Sequence, residues 1–197
     1  MDLDLLESVG IGLGLGVAAG FRVVVPFWVL SVASYFGHLP LQDNMQWLGS
    51  ETALVGLTVA LGLELLAYSI PWLDNLVDTV AVPAAAIAGT VLMALAANQL
   101  DPFAQWSLAI VAGGGTAATV KGLSGFTRLI STATTGGLTN FLVAIAELLG
   151  AIALSILALT APLAAFVGGL ALFILLIRIG VKSFYAAKKP TANADQS

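Results

Sequence analysis

Apolar residues run along this chain in long blocks, and the polar positions collect between them. The blocks at 9–36, 53–70, 80–97, 105–130, 139–160 and 161–180 show neither the two-residue alternation of a barrel strand nor the polar face of a soluble helix. Each is about 18 residues or longer, enough for an α-helix to cross a hydrocarbon core of roughly 30 Å at 1.5 Å rise per residue. The pattern therefore predicts an all-α integral membrane protein with six transmembrane helices. Around them stand an N-terminal segment 1–8, a linker 98–104 between the halves 9–97 and 105–182, and a polar tail 183–197.

The two halves carry the same anchors in the same order. GVAAGFR, Gly16 to Arg22, aligns with GTAATVK, Gly115 to Lys121, and the match runs on ungapped through Phe27 with Phe126 and Leu30 with Leu129. GLELLAY then aligns with IAELLGA, placing Glu64 on Glu147, and PAAAIAGT aligns with PLAAFVGG, placing Pro83 on Pro162. Alanine and glycine matches follow from composition; the arginine with lysine, the glutamates and the prolines do not. Three helices per half is an odd number, so the reading is a pair of inverted-topology three-helix repeats, a plan common among secondary transporters.

Composition supports the membrane reading: 59% of residues are hydrophobic and 9% charged, where a soluble domain has roughly a quarter charged. The N-terminus is acidic where a signal peptide is basic, and no cysteine is present, which excludes disulfides and thiolate chemistry. Lys121, Arg128, Arg178, Lys182, Lys188 and Lys189 fall on one side of a six-helix plot, opposite loops that hold Asp43, Glu51 and Asp101. The positive-inside rule then predicts both termini in the cytoplasm. A bacterial plasma membrane and an internal photosynthetic membrane fit equally.

Within the apolar blocks, Glu64, Glu147, Arg22 and Lys121 are the candidate ion- or substrate-binding residues. A charge at a helix centre costs roughly 2.5 to 3.5 kcal/mol on insertion scales, so each needs a partner or a hydrated cavity. The pattern predicts two pseudo-symmetric cation–carboxylate pairs, either within a repeat or across the interface between the repeats. Gly12, Gly16 and Gly20, and the run Gly113 to Gly115, mark the first and fourth helices as close-packing or weakened, and Pro26 with its aligned Gly125 predicts a kink in each. Asp74 and Asp78 form a candidate cation entrance with Tyr68 nearby, and the hydroxyl-rich Ser131, Thr132, Thr134 and Thr135 precede the fifth helix as a candidate anion cradle. His38 reads as a loop residue, and no nucleotide fingerprint, zinc motif or serine–histidine pairing is present.

The stretches AAGFRVVVPF, SYFGHLPL, ELLAY followed by IPWLDNLVDT, and STATTGG resemble those of bacterial and plant multi-pass membrane proteins that carry the domain of unknown function 4126, over roughly residues 8 to 180. The resemblance implies a polytopic membrane protein and brings no activity with it. Small cation exporters have a similar three-plus-three plan, but their tight acidic motifs are missing here. The reading is a small secondary transporter or ion exchanger moving a proton or cation, and not an enzyme. The alternatives are a passive channel and a structural subunit of a larger membrane complex. A homodimer or trimer in the lipid bilayer is expected, with no cofactor and no nucleic-acid partner.

Overall fold

A computed structural model of the chain describes residues 3–39, 41, 43–67, 71–135 and 140–187, with side chains 43–44, 71–79, 130–131, 133–135, 173, 176–177 and 179–187 outside that description. Helices α1 (Leu3–Phe21) and α2 (Val24–Tyr35) lead to a 3₁₀ segment, Asp43–Gly49. Then follow α3 (Glu51–Ala67), α4 (Pro71–Ala96), α5 (Pro102–Leu108), a π-helical segment (Ala109–Gly114), α6 (Gly115–Thr135), α7 (Asn140–Thr160) and α8 (Pro162–Ala187). The described residues include no strand. The α5, π and α6 segments run on without a break, started by Asp101, whose side chain accepts from the Phe103 and Ala104 amides, and by Pro102 at the first helical position. By length and composition, α1 and α7 can each cross a membrane.

The first apolar block is not one helix. It breaks at Arg22–Val23, and the cause is local: Pro26 has no N–H to offer the Arg22 carbonyl four residues back, and its ring clashes with that carbonyl. Past the break the chain turns back. Leu15 and Leu30 share one apolar cluster, Ala18, Val25 and Val29 another, and Leu39, Met45 and Leu48 line a small cavity with Ile11, Leu92 and Leu95. Thus α1 and α2 form a hairpin with Arg22 at its tip.

The hairpin fixes which element ends lie together. Gln99, in the turn before α5, donates to the Asp4 carbonyl (3.1 Å) and the Ser8 hydroxyl (2.9 Å), and Gly10 packs against Pro162 at the start of α8. The start of α1, the chain after α2, the α4–α5 turn and the α7–α8 junction thus share one end, called the upper end. The last residues of α3, α6 and α8 and the first of α4 and α7 share the lower end.

Two expectations fail on this geometry. The aligned helices α1 and α6 run parallel: Gly16 lies against Gly113, Gly20 against Ala117 and Val120, and Phe21 beside Lys121. An inverted repeat requires them antiparallel, so that relation does not hold for the first helix of each half, because the first half folds its helix back where the second half runs straight. In addition, Asp4 sits at the upper end while α8 finishes at the lower, so the first and last described residues lie at opposite ends of the bundle, where termini on one side are expected. Smaller differences concern boundaries: 3–8 is helical, 71–79 begins α4, and 131–135 ends α6. The second half departs from α-geometry at Ala109–Gly114, a π-helical segment whose Gly113 packs against Gly89 and Met93 of α4, and not at Gly125.

Small residues fill much of the interior, and many large apolar side chains stay exposed. Fully buried positions include many small residues such as Ala18, Ala19, Ala85 and Ala117, larger apolar ones such as Leu48, Leu92 and Met93, and the cations Arg22 and Lys121. Val59, Leu63, Leu66, Ile87, Val111, Leu149 and Val167 are exposed. Glycine permits the closeness: a β-carbon at Gly20 would lie 2.8 Å from the Ala117 carbonyl oxygen. Helix α1 is the hub, touching α4, α6, α7 and α8. Helix α3 is peripheral, buries none of its residues and packs chiefly on α2.

Candidate functional site

The hairpin tip gathers the charged residues. Breaking a helix frees carbonyls at the end of one piece and amides at the start of the next, and both sets need partners. Here charged side chains from other helices supply them. Lys121, 1% exposed on α6, donates from Nζ to the Phe21 carbonyl at 3.5 Å, placing a cation at the negative end of α1. Glu64 from α3 meets the positive end of α2, accepting from the Val23 amide through Oε1 (3.2 Å) and the Val24 amide through Oε2 (3.4 Å). Arg22 and Lys121 also act on the Glu64 carboxylate electrostatically.

Glu147 forms the second focus. It accepts from the Ser124 hydroxyl through Oε1 and from the Arg128 guanidinium through Oε2, and Arg22 Nη2 stands 3.7 Å from the same Oε2. Arg22 further donates to the Ala144 carbonyl at 3.1 Å, fastening the tip to α7. Arg22, Arg128 and Glu147 are 0%, 3% and 5% exposed. A cavity of about 260 Å³, lined by Phe21, Ser124, Thr127, Ala146 and Glu147 among others, lies against this focus.

The two glutamates occupy aligned positions yet are held by different chemistry. Extending the alignment of Arg22 with Lys121 puts Val25 on Ser124 and Val29 on Arg128. The first half lacks side-chain donors there and uses the amides released by Pro26 instead. Of the two arrangements expected, within a half or across the halves, Arg22 takes the second, reaching Glu147 at 3.7 Å, while Lys121 donates to the Phe21 carbonyl and acts electrostatically on Glu64.

All four principal candidates, Arg22, Lys121, Glu64 and Glu147, are thus brought to one place. It is not central: about 20 Å of α3 lies between Glu51 and Glu64, and about 28 Å of α1 between Leu3 and Arg22, so the cluster lies toward the lower end. Of the accessory candidates, Thr132 accepts from Asn140 Nδ2 at 2.9 Å, a link between α6 and α7. Tyr68 and the side chains of Asp74, Asp78, Ser131, Thr134 and Thr135 lie outside the described residues. Ser124 and Arg128 are the members that sequence reasoning missed. Lys121, Ser124 and Arg128 fall at i, i+3 and i+7, one helical face, which is the signal that finds them. No group of three His, Cys, Asp or Glu suited to a metal occurs among the described residues.

With this arrangement in view, comparison with known proteins gives one result. A sequence profile described as a domain of unknown function (DUF4126) matches residues 9–182. The chain belongs to the DUF4126 family. The DUF4126 match takes in all but the first residues of the hairpin, every residue of the charged cluster and all of α3 to α7. No curated protein and no solved structure matches the chain.

Proposed function

We propose that this DUF4126 protein is a multi-pass membrane protein acting as a small secondary transporter or ion exchanger, with the hairpin-tip cluster as its ion-handling site. The observation that carries the reading is the Glu64 carboxylate, delivered by a peripheral helix to the open amides of a broken helix within the field of two buried cations. Irregular backbone at a helix break, faced by ionisable side chains, is the arrangement by which membrane helices bind and release ions. The exposed apolar surface supports a lipid environment for the whole bundle.

In this reading Glu64 titrates and moves, while Glu147, fixed by Ser124, Arg128 and Arg22, holds the tip in register. Outside the buried cluster, the exposed Arg178 belongs to the lower part of the bundle, while the upper part holds Asp4, Glu7, Glu51 and Asp101 and no described Lys or Arg. The positive-inside rule then puts the lower end, with the end of α8, in the cytoplasm and the start of α1 on the opposite side.

A structural role in a larger membrane complex is the second reading, favoured by one observation: Glu147 is so fully engaged that its focus would serve as a static brace. The test is proton-coupled flux in proteoliposomes, read with an entrapped pH-sensitive dye. The transporter reading expects saturable flux that disappears in a folded Glu64→Gln protein. Absence of flux under every ion gradient, with stable co-purification in a larger assembly, would give the structural reading instead.

A further inference from the structure

We infer that the cavity beside Glu147 is a water-filled vestibule that opens near the lower end of the bundle and brings protons to the hairpin tip. This deepens the exchanger reading and rests on it. The lining is the first ground. Helix α6 supplies the Ser124 and Thr127 hydroxyls and α7 the Glu147 carboxylate to a space of about 260 Å³. A water takes roughly 30 Å³ of liquid volume, so several fit. A purely apolar cavity stays dry, and the one of about 150 Å³ at the upper end, lined by Leu15, Leu30, Leu48 and Leu92 among others, is of that kind. The lower cavity differs in having buried oxygens in its wall, since Glu147 and Ser124 are each 5% exposed.

Those oxygens call for a donor. Ser124 uses its one hydroxyl hydrogen on Glu147 Oε1, and Thr127 gives its own to the Leu123 carbonyl at 3.0 Å. Each hydroxyl keeps lone pairs, and a carboxylate offers more acceptor positions than one hydroxyl fills. The described charged groups facing Glu147 are Arg22 and Arg128, and both stand at Oε2. The Oε1 side therefore presents acceptors, to which water and hydronium donate.

Position makes the cavity a passage. Thr127 and Ala146 line it and are exposed at the surface. Leu172 in its wall lies about 9 Å along α8 from the exposed Arg178, and Ala146 about 9 Å along α7 from its start at Asn140. An exposed arginine marks a level that water reaches, so the mouth is close to the lower aqueous side. Phe21 also lines the cavity; its carbonyl accepts from Lys121, and it precedes Arg22 at the tip. Water in the vestibule thus stands against the tip whose Val23 and Val24 amides hold Glu64.

The chain has no cysteine, so single introduced thiols report on this water. A methanethiosulfonate reacts with thiolate, and dry surroundings keep a thiol protonated. The experiment takes full-length Ala146→Cys, Thr127→Cys and Ile145→Cys proteins in proteoliposomes. The membrane-impermeant 2-(trimethylammonium)ethyl methanethiosulfonate is added from each side in turn. Ile145 adjoins Ala146 at the same depth on α7 and is exposed, but it does not line the cavity, so it controls for depth. Ala146→Cys and Thr127→Cys are expected to react from the lower side at least about tenfold faster than Ile145→Cys, the effect of raising a thiol pKa by about one. Modification is expected to abolish proton flux, and Thr127→Cys carries the test alone if Ala146→Cys does not fold. Equal rates at the cavity and control positions, or no reaction at the cavity positions, would overturn the vestibule. So would fast cavity-specific reaction that leaves proton flux intact. The same reaction in a protein that moves no ion would uphold the water-filled cavity and overturn the exchanger reading.

Discussion

Glu147 is the strictest test of the packing argument. Its carboxylate is the shared counter-charge of Arg22 and Arg128, with three groups at 5% exposure or less. Replacing Glu147 by leucine keeps the bulk but leaves two guanidinium groups buried without that charge and the Ser124 hydroxyl without its acceptor. Breaking a single buried ion pair from one side costs about 3–5 kcal/mol. With two cations on one carboxylate, the upper part of that range is expected, a Tm decrease of about 10–15 °C for a chain of this size. Arg128→Met alone should cost a similar amount, because it leaves Glu147 underpaired. The double variant Arg128→Met/Glu147→Leu removes a charge of each sign, so its loss should fall at least about 2 kcal/mol short of the sum of the single losses. The assay is denaturant unfolding in mixed micelles, followed by tryptophan fluorescence. Strictly additive losses, or a Glu147→Leu protein within about 1 kcal/mol of wild type, would refute the claim that this network is buried and shared.

Three further outcomes follow from the same geometry. Gly20→Ala forces a methyl group to 2.8 Å from the Ala117 carbonyl oxygen and should destabilise by about 1–3 kcal/mol. Gly62→Ala, where nothing lies within 4 Å, should be neutral or stabilise α3 by up to about 1 kcal/mol; paired melting curves decide whether both hold. Because the chain has no cysteine, single-cysteine variants can be labelled with a membrane-impermeant maleimide. Asp4→Cys and Glu51→Cys should react from one side and Arg178→Cys from the other, and labelling of Asp4→Cys and Arg178→Cys from the same side would refute the hairpin topology. Ser31→Ala removes a buried hydroxyl that donates to the Leu48 carbonyl at 2.6 Å, and should cost about 1–2 kcal/mol in the same unfolding assay.

Much of the molecule is legible in the apolar pattern, and the exceptions share a cause. Helices are recognisable because alanine, leucine and glycine run on for whole blocks, and the gathering of Arg22, Lys121, Glu64 and Glu147 is legible because buried charge is costly and needs partners. The hairpin was not. An apolar run of 9–36 reads the same whether the chain continues or turns back, and Pro26 announces a break without giving its angle. Once α2 is read as a continuation of α1, its reversed direction is lost, and with it the parallel course of α1 and α6 and the opposite placement of the first and last helix ends. Partner choice was hidden for a similar reason. Arg128 lies near the end of a span, where a cation ordinarily reaches the interface, and only the tip of α1 against α6 and α7 shows it facing Glu147. The pairing of Glu64 with backbone amides has no sequence signature at all, since it depends on α3 lying beside the start of α2.

The central claim is that the carboxylate at the start of α2 takes part in ion movement. Charge displacement on a solid-supported membrane, driven by a pH step and recorded for wild type beside Glu64→Gln of matched thermal stability, tests it most directly. The account predicts a transient current in wild type that is lost in Glu64→Gln while Ser31→Ala keeps it. Currents of equal size and pH dependence in wild type and Glu64→Gln would contradict it.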